Sequence, residues 1–205
     1  MYVQNHSRGR FFVCVNRERA AAKVAFRDEE TCAAGGDVRV SNRGWYQGDG
    51  IGLVDDKGRV SIPAALRQTL SANYPKANGK DGGTVIVGTH QKHRCLVAYD
   101  PAYLDILVAK LDKREAENTL ENGELDYNIT RRAAPGEAVP FDGSGRFIMP
   151  SFARFYARIK GHAFFYGVLD QIEIWDPKTL IETTDYPDVV KEMAEFYMAE
   201  RGVAL

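Results

Sequence analysis

The sequence predicts an α+β fold, rich in β-strands, in which one structural unit is present twice. Residues 55–67 (DDKGRVSIPAALR) recur as residues 142–154 (DGSGRFIMPSFAR), at an offset of 87. Both copies have Asp four residues before Arg, Gly directly before that Arg, and Pro four residues after it. A second match, residues 96–101 (LVAYDP) with 172–177 (IEIWDP), holds at an offset of 76. Matches in the same order predict two copies of one supersecondary unit, with the length difference confined to loops.

Each copy of the first motif predicts a β-hairpin. Short apolar runs at residues 51–54 and 138–141 each end in a cluster of turn-forming residues. An Asp at the turn start accepts hydrogen bonds from backbone amides two or three residues on, and the Gly before the Arg permits positive φ. The return strands RVSI and RFIM then begin with Arg59 and Arg146, which we expect in solvent beside the turn tips.

Helix starts are predicted where proline follows these strands. Pro63 and Pro150 suit the first helical position, where a missing N–H costs nothing. Asp100 and Asp176, each followed directly by Pro, predict N-caps of two further helices.

Two helices are expected to carry apolar stripes at helical spacing. The first runs to about residue 118 and its stripe predicts core or subunit interface. The second is the C-terminal helix, closed by Gly202, whose stripe either covers the core or docks on a neighbouring subunit. The two stripes are Leu104, Leu107, Val108 and Leu111, and Val189, Met193, Phe196 and Tyr197.

The doubled D-x-x-x-R motif, with its turn, strand, Pro and short helix, resembles the MraZ family of bacterial transcriptional regulators. These are tandem relatives of the AbrB and SpoVT swapped-hairpin domains, and the resemblance runs from about Trp45 to the C-terminus. It implies two AbrB-like repeats in a pseudo-twofold, barrel-like core, at residues 44–118 and 138–205 with a linker at 119–137. It also implies a ring-shaped homo-oligomer whose motif arginines face double-stranded DNA.

By this resemblance the operator is a set of direct repeats upstream of a division and cell-wall gene cluster that includes the protein's own gene. Its sequence, the sign of regulation and the subunit number are left open. We hypothesise that Asp orients each turn and Arg donates two hydrogen bonds to guanine. The alternative is an Asp–Arg pair that only pins the hairpin, which contributes about 0–1 kcal/mol when exposed. The expected DNA-binding residues are Asp55, Lys57, Gly58, Arg59, Asp142, Ser144 and Arg146.

Composition is that of an ordinary globular protein: 205 residues, 44% hydrophobic and 27% charged, with a net charge of −1. No apolar run is long enough to cross a membrane and none resembles a signal peptide, so we expect a cytoplasmic protein. The resemblance to DNA-binding regulators implies that it is nucleoid-associated. Residues 1–43 carry eight cations against five acids, or +3, which leaves −4 for the rest. This extension is interpreted as a start codon placed too far upstream, a disordered tail or a basic DNA-binding arm.

No catalytic, metal or cofactor motif is found, so we expect no enzyme, no metal, no cofactor and no small-molecule substrate. His90, His93 and Cys95 form an H-x-x-H-x-C cluster that is interpreted as an exposed polar loop rather than a metal site. Asp55 and Asp142 as a symmetric acid pair is an enzyme alternative, which predicts a deep pocket with perturbed carboxylates. The main alternative is an AbrB-like antitoxin or protein-interaction module without operator binding.

Overall fold

The computed structural model describes residues 43–75, 82–118, 126–133 and 136–203. Its strands are β1 Asp49–Leu53, β2 Arg59–Ser61, β3 Gly83–Thr89, β4 Leu96–Tyr99, β5 Gly136–Phe141, β6 Arg146–Ile148, β7 His162–Val168 and β8 Gln171–Trp175. Its helices are α1 Ala64–Asn73, α2 Tyr103–Glu117, α3 Asn128–Ala133, α4 Ser151–Tyr156, α5 Pro177–Glu182 and α6 Asp188–Glu200.

The order of these elements repeats along the chain. Two strands, a helix, two strands and a helix occur as β1 to α2 and again as β5 to β8 with α4 and α5. The extra helix α3 lies between the two halves, inside the segment predicted as a linker, and α6 follows the second half. The α+β, strand-rich prediction is therefore confirmed.

The strands form a six-stranded antiparallel sheet in the order β1-β7-β8-β4-β3-β5, and a two-stranded ribbon, β2-β6. The counterparts in the two halves are β1 and β5, β2 and β6, β3 and β7, and β4 and β8. If each strand is exchanged for its counterpart, the same two strand orders result, read in reverse. The registers match as well: Asp49 of the first half pairs with Tyr166 of the second, and the equivalent Gly136 of the second half pairs with Gly88 of the first. The described strands therefore have pseudo-twofold symmetry in an open sheet with β1 and β5 at its edges.

The prediction of a hairpin at each motif is wrong in its strand pairing. Both turns close, but β1 pairs with β7 and β2 pairs with β6, so each return strand pairs with the other half of the chain. In the ribbon Val60 lies opposite Phe147, and both side chains are almost fully buried. Pairing across the halves places these two apolar residues in one shared core, because alternate residues of a strand point to opposite faces.

The core lies on both faces of the sheet. One large cluster packs the ribbon, α1 and α4 against one face and draws residues from both halves, among them Leu66, Phe147 and Phe165. Smaller clusters cover the other face, where Trp175 and Phe164 pack against α5 and α6, and Tyr99 packs against α2. None of the described helices is long and apolar enough to span a membrane.

Three of the four predicted helix starts are shifted or absent. Pro63 and Pro150 are the N-cap residues of α1 and α4, one position earlier than expected. Asp176 does cap α5, accepting a 2.9 Å hydrogen bond from the Thr179 amide. Asp100 does not cap α2, which begins at Tyr103. Its carboxylate binds Arg43 and Tyr46 instead, a buried arrangement that a local cap could not predict.

The apolar stripes are only partly buried. On α2, Leu111 is buried while Leu104 and Val108 are exposed. On α6 the prediction is half right, because Met193 and Tyr197 pack partly buried against the core while Val189 and Phe196 are exposed. The buried residues of the helix are Val190, Ala194 and Met198. Gly202 ends the helix with φ +68°, as expected.

Candidate nucleic-acid interface

The two motif turns have the same internal hydrogen bonds. Asp55 Oδ1 accepts from the amides of Lys57 (3.0 Å) and Arg59 (2.8 Å). In the second turn Asp142 Oδ1 accepts from the amides of Ser144 and Arg146, both at 2.9 Å. The donating amides therefore lie two and four residues after each Asp, whereas two or three residues were predicted. Each carboxylate binds across the whole turn.

The glycines of both turns have the positive φ that was predicted. Gly58 has φ +78° and Gly145 has φ +81°. Each is buried, and its carbonyl accepts a 2.9 Å hydrogen bond from the opposite half: Met149 donates to Gly58 and Ile62 to Gly145. The two turns are thus fastened to each other's return strands.

The second arginine of each motif copy, Arg67 or Arg154, also lies against the opposite turn. Arg154 Nη1 donates to the carbonyls of Asp55 (3.3 Å) and Asp56 (3.2 Å). A Cβ added at Gly145 would lie 2.9 Å from Arg67 Cδ. The sequence shows both arginines at the shared offset but gives no sign of this role, because their partners are about 90 residues away.

Gly145→Ala is expected to destabilise the fold by about 1–3 kcal/mol, the usual cost of a side chain at positive φ. The added Cβ would also come within 3.0 Å of the Ile62 carbonyl oxygen, which is backbone and cannot move freely. Urea unfolding measures the effect. Gly161→Ala is the matched control, since nothing lies within 4 Å of the position that its added Cβ would take. Equal unfolding midpoints for the two variants would contradict this account of the turn.

The ribbon presents both motif arginines on one exposed face. Arg59, Ser61, Arg146 and Ile148 all point away from the core, and Arg146 lies directly opposite Ser61. The side chain of Arg59 is 58% exposed. Ser61 and Ile148 were not predicted as site residues, although each lies two residues after a motif arginine and must share its strand face.

The two arginines differ in how they are held. Arg59 Nε donates to Asp55 Oδ2 at 2.6 Å, which is the pinning pair of the alternative interpretation. Arg146 has no such ion pair with a described residue, and in its turn Asp142 Oδ1 accepts a 2.7 Å hydrogen bond from the Ser144 hydroxyl. The interpretation in which an Asp–Arg pair only pins the hairpin therefore applies to the Asp55 turn and not to the Asp142 turn.

Grooves lie on either side of the ribbon. The larger, of about 990 Å³, is beside the second turn and its cationic lining residues are Lys57, Arg59, Arg146 and Arg154. Its acidic lining residues are Glu137 and Asp142. The smaller groove, of about 340 Å³, is at the first turn and is lined on either side by Arg59 and Arg146. The ribbon and its grooves form a locally basic surface on a core whose net charge is negative.

The motif carboxylates do not have the properties of catalytic acids. The pKa of Asp55 is lowered by the backbone amide of Arg59 first and then by its side chain. The pKa of Asp142 is lowered by the Ser144 hydroxyl first and then by the Arg146 amide. Every resolved carboxyl pKa shift among the described residues is downward, whereas the enzyme alternative needs a raised one.

His90, His93 and Cys95 do not form an exposed loop as predicted. Cys95 is fully buried in the core under α6, and burial raises the pKa of its thiol. His90 is mostly buried, with Nε2 3.9 Å from Glu173 Oε1, and its ring stacks on His93. No group of three or more metal-ligating side chains occurs in the described part of the chain. Residues 1–42, with Cys14 and Cys32, lie outside the described residues.

Together these features define a class of protein. It is a single chain of two similar halves, in which each half binds the motif turn of the other and contributes one strand to an exposed basic ribbon. No protein-family model matches the chain. Among curated proteins, it is 31% identical to a transcriptional regulator MraZ from Ruegeria pomeroyi over 140 residues, which is 65% of this chain and 78% of the relative.

Two further relatives carry the same name. The regulator from Ruegeria sp. strain TM1040 is 30% identical over 76% of this chain and 87% of its own length. That from Shewanella violacea is 29% identical over 60% of this chain and 74% of its own length. The chain belongs to the MraZ family, so the resemblance identified from the doubled motif is confirmed. These relatives are named as transcriptional regulators and not as enzymes, which is consistent with a non-enzyme.

Proposed function

We propose that this protein is a sequence-specific DNA-binding transcriptional regulator that reads DNA through the β2–β6 ribbon. The observation that carries the proposal is the exposed ribbon face that Arg59 and Arg146, one from each half, share in diagonal positions, opposite Ile148 and Ser61. A two-stranded β-ribbon fits the major groove of B-DNA, and arginine is the side chain that most often reads guanine there. The names of the relatives support the regulatory part of the proposal.

In this proposal the remaining motif residues prepare the ribbon. Asp55 and Asp142 hold the two turns, while Gly58 supplies the tight bend that lets the opposite half pack against it. Lys57 and Ser144 stand at the turn tips, two exposed positions from which a side chain reaches phosphate. The two halves act as tandem AbrB-like repeats, residues 44–118 and 138–205, around a barrel-like core.

The charge balance supports assembly into a ring. The core carries about −4 overall, so its general field does not attract DNA, and one ribbon offers few cations. Because each phosphate contact adds to affinity, several ribbons on one assembly would bind repeated DNA sites far more tightly than one. We therefore propose a ring-shaped homo-oligomer on direct-repeat operators, at the nucleoid, upstream of a division and cell-wall gene cluster that includes its own gene.

Wild-type protein is expected to bind DNA from upstream of its own gene at least a hundredfold more tightly than a shuffled sequence of equal length, since operator binding typically exceeds non-specific binding by about 10³-fold or more. Fluorescence anisotropy at one fixed salt concentration measures both affinities. Equal affinities would contradict operator binding. The antitoxin or interaction-module function would then be favoured, and it predicts a stable protein partner.

A further inference from the structure

Helix α6 has exposed apolar residues on the side that faces away from the sheet. Val190, Ala194 and Met198 are buried against the sheet. On the outer side, Val189 is 61% exposed and Phe196 is 59% exposed, and the partly buried Met193 lies between them at the edge of the core. These three residues are spaced i, i+4, i+7, which is the spacing by which an amphipathic helix anchors in a groove of a partner.

The outer face of α6 is acidic at its margins. Glu192, Glu195 and Glu200 are all exposed. None of them lies within ion-pair distance of a described cation, although Asp188 on the same helix pairs with Lys191 at 3.4 Å. A partner that covers Val189 and Phe196 would therefore bring cations against these carboxylates.

A groove with matching properties lies between α4 and α5 on the same chain. Its volume is about 750 Å³, with Phe155 and Ile159 as its large apolar lining residues. The Phe155 side chain is 80% exposed, the most exposed large hydrophobic residue in the described structure. Arg158, Lys160 and Lys178 are on the rim.

The acids of the groove are already engaged. Asp176 caps the start of α5, and Glu182 lies 4.0 Å from Lys178. The groove is therefore apolar at its centre and basic at its rim.

The apolar residue at the centre of this groove is specific to the second half. At the offset of 87, the exposed aromatic positions Phe152 and Phe155 correspond to Ala65 and Gln68 in the first half. The two halves therefore differ at these exposed positions, and the helix face and the groove are different surfaces of the described chain.

We propose that the outer face of α6 in one copy of the chain binds in the α4–α5 groove of the next copy. The acidic margin of the helix complements the basic rim of the groove. This complementarity determines that helix binds groove and how the helix is oriented within it. Because the two surfaces differ, the contact is head-to-tail, and such contacts form a ring when the rotation from one copy to the next closes. This inference rests on the ring assembly proposed above and names the surfaces that would form it.

Two single variants test the contact, measured without DNA by sedimentation equilibrium. Phe196→Asp removes the helix anchor and Phe155→Asp removes the groove anchor, and each is expected to reduce the assembly to single chains. Mixed in equal amounts, the two variants are expected to form dimers of twice the monomer mass and nothing larger. In that dimer the intact helix of Phe155→Asp occupies the intact groove of Phe196→Asp. The remaining helix and the remaining groove each carry the substituted Asp, so a third chain cannot bind.

Val108→Asp is the matched control, because Val108 is 53% exposed on α2 and has no part in the contact. It is expected to keep the wild-type mass, and far-ultraviolet circular dichroism checks that all three variants are folded. The proposal is overturned if wild type is a single chain, if either variant keeps the wild-type mass, or if the mixture stays monomeric. Operator binding is scored separately by anisotropy, so failure of the contact and failure of DNA binding are distinguishable.

Discussion

Asp100→Ala is expected to lower the free energy of unfolding by about 3–5 kcal/mol, because it leaves a buried cation without its partner. Arg43 Nη1 donates to Asp100 Oδ1 at 2.8 Å, and the side chains of both residues are almost entirely buried. The Tyr46 hydroxyl donates to Asp100 Oδ2 at 2.5 Å. Removing the carboxylate therefore strands a guanidinium and a phenol together.

Urea unfolding measures this loss, and Asp112→Ala is the matched control because Asp112 is exposed on the adjacent helix α2. The control is expected to unfold within about 0.5 kcal/mol of wild type, as surface substitutions usually do. If Asp100→Ala were as stable as Asp112→Ala, the buried pair would not be holding the start of the described chain to the core.

The same pair gives stability a defined dependence on pH. Burial on its own would raise the pKa of Asp100, but the hydrogen bond and charge of Arg43 and the hydroxyl of Tyr46 hold that pKa below its ordinary value. A lowered folded-state pKa contributes stability above the ordinary value of about 3.9, which is lost as pH falls through the folded-state value. The acid loss of stability should be smaller in Asp100→Ala than in wild type.

Arg59→Ala and Arg146→Ala are each expected to weaken operator binding by about 5- to 150-fold, because a bidentate arginine–guanine contact contributes about 1–3 kcal/mol of discrimination. Binding to shuffled DNA should weaken much less, since it depends on total charge. The ratio of the two affinities, measured by anisotropy, is therefore the informative quantity. An unchanged ratio in both variants would mean that the ribbon does not read bases.

Removing Asp55 separates the two roles considered for Arg59, which are pinning the hairpin through its pair with Asp55 and binding guanine. Asp55 fixes the Arg59 side chain at 2.6 Å, whereas Arg146 has no such ion pair among the described residues. Orienting a side chain before binding lowers the entropic cost of binding. Asp55→Ala is therefore expected to weaken operator binding through Arg59 while leaving Arg146 unaffected, if the ribbon reads DNA as proposed.

The sequence was sufficient to predict the repeated unit, its turns and most of its strands. The offset of 87 reappears in the strand registers, where Asp49 and Gly136 are equivalent, and the offset of 76 reappears where Tyr99 and Trp175 are equivalent. The lost residues fall in the loops before and within the β3–β4 hairpin, as expected. These features are local, so residue pattern and turn chemistry determine them.

The local errors are shifts of one position, whereas the larger errors concern partners that are distant in the chain. The strands β2 and β6 have three residues each, too few for their pattern to show which strand they pair with. Asp100 looked like a helix cap because Arg43 lies 57 residues away. On α6 both faces are apolar, so only contact with the sheet decides that Ala194 faces inward and Phe196 outward.

The most direct test compares two double variants that remove equal charge. The double variant Arg59→Ala with Arg146→Ala removes both arginines from the ribbon face. The double variant Arg131→Ala with Arg132→Ala removes two exposed arginines from α3. A gel shift on DNA from upstream of the protein's own gene, at fixed salt and equal assembly size, should be lost with the first variant and retained with the second. Equal shifts for the two variants would contradict DNA recognition by the ribbon.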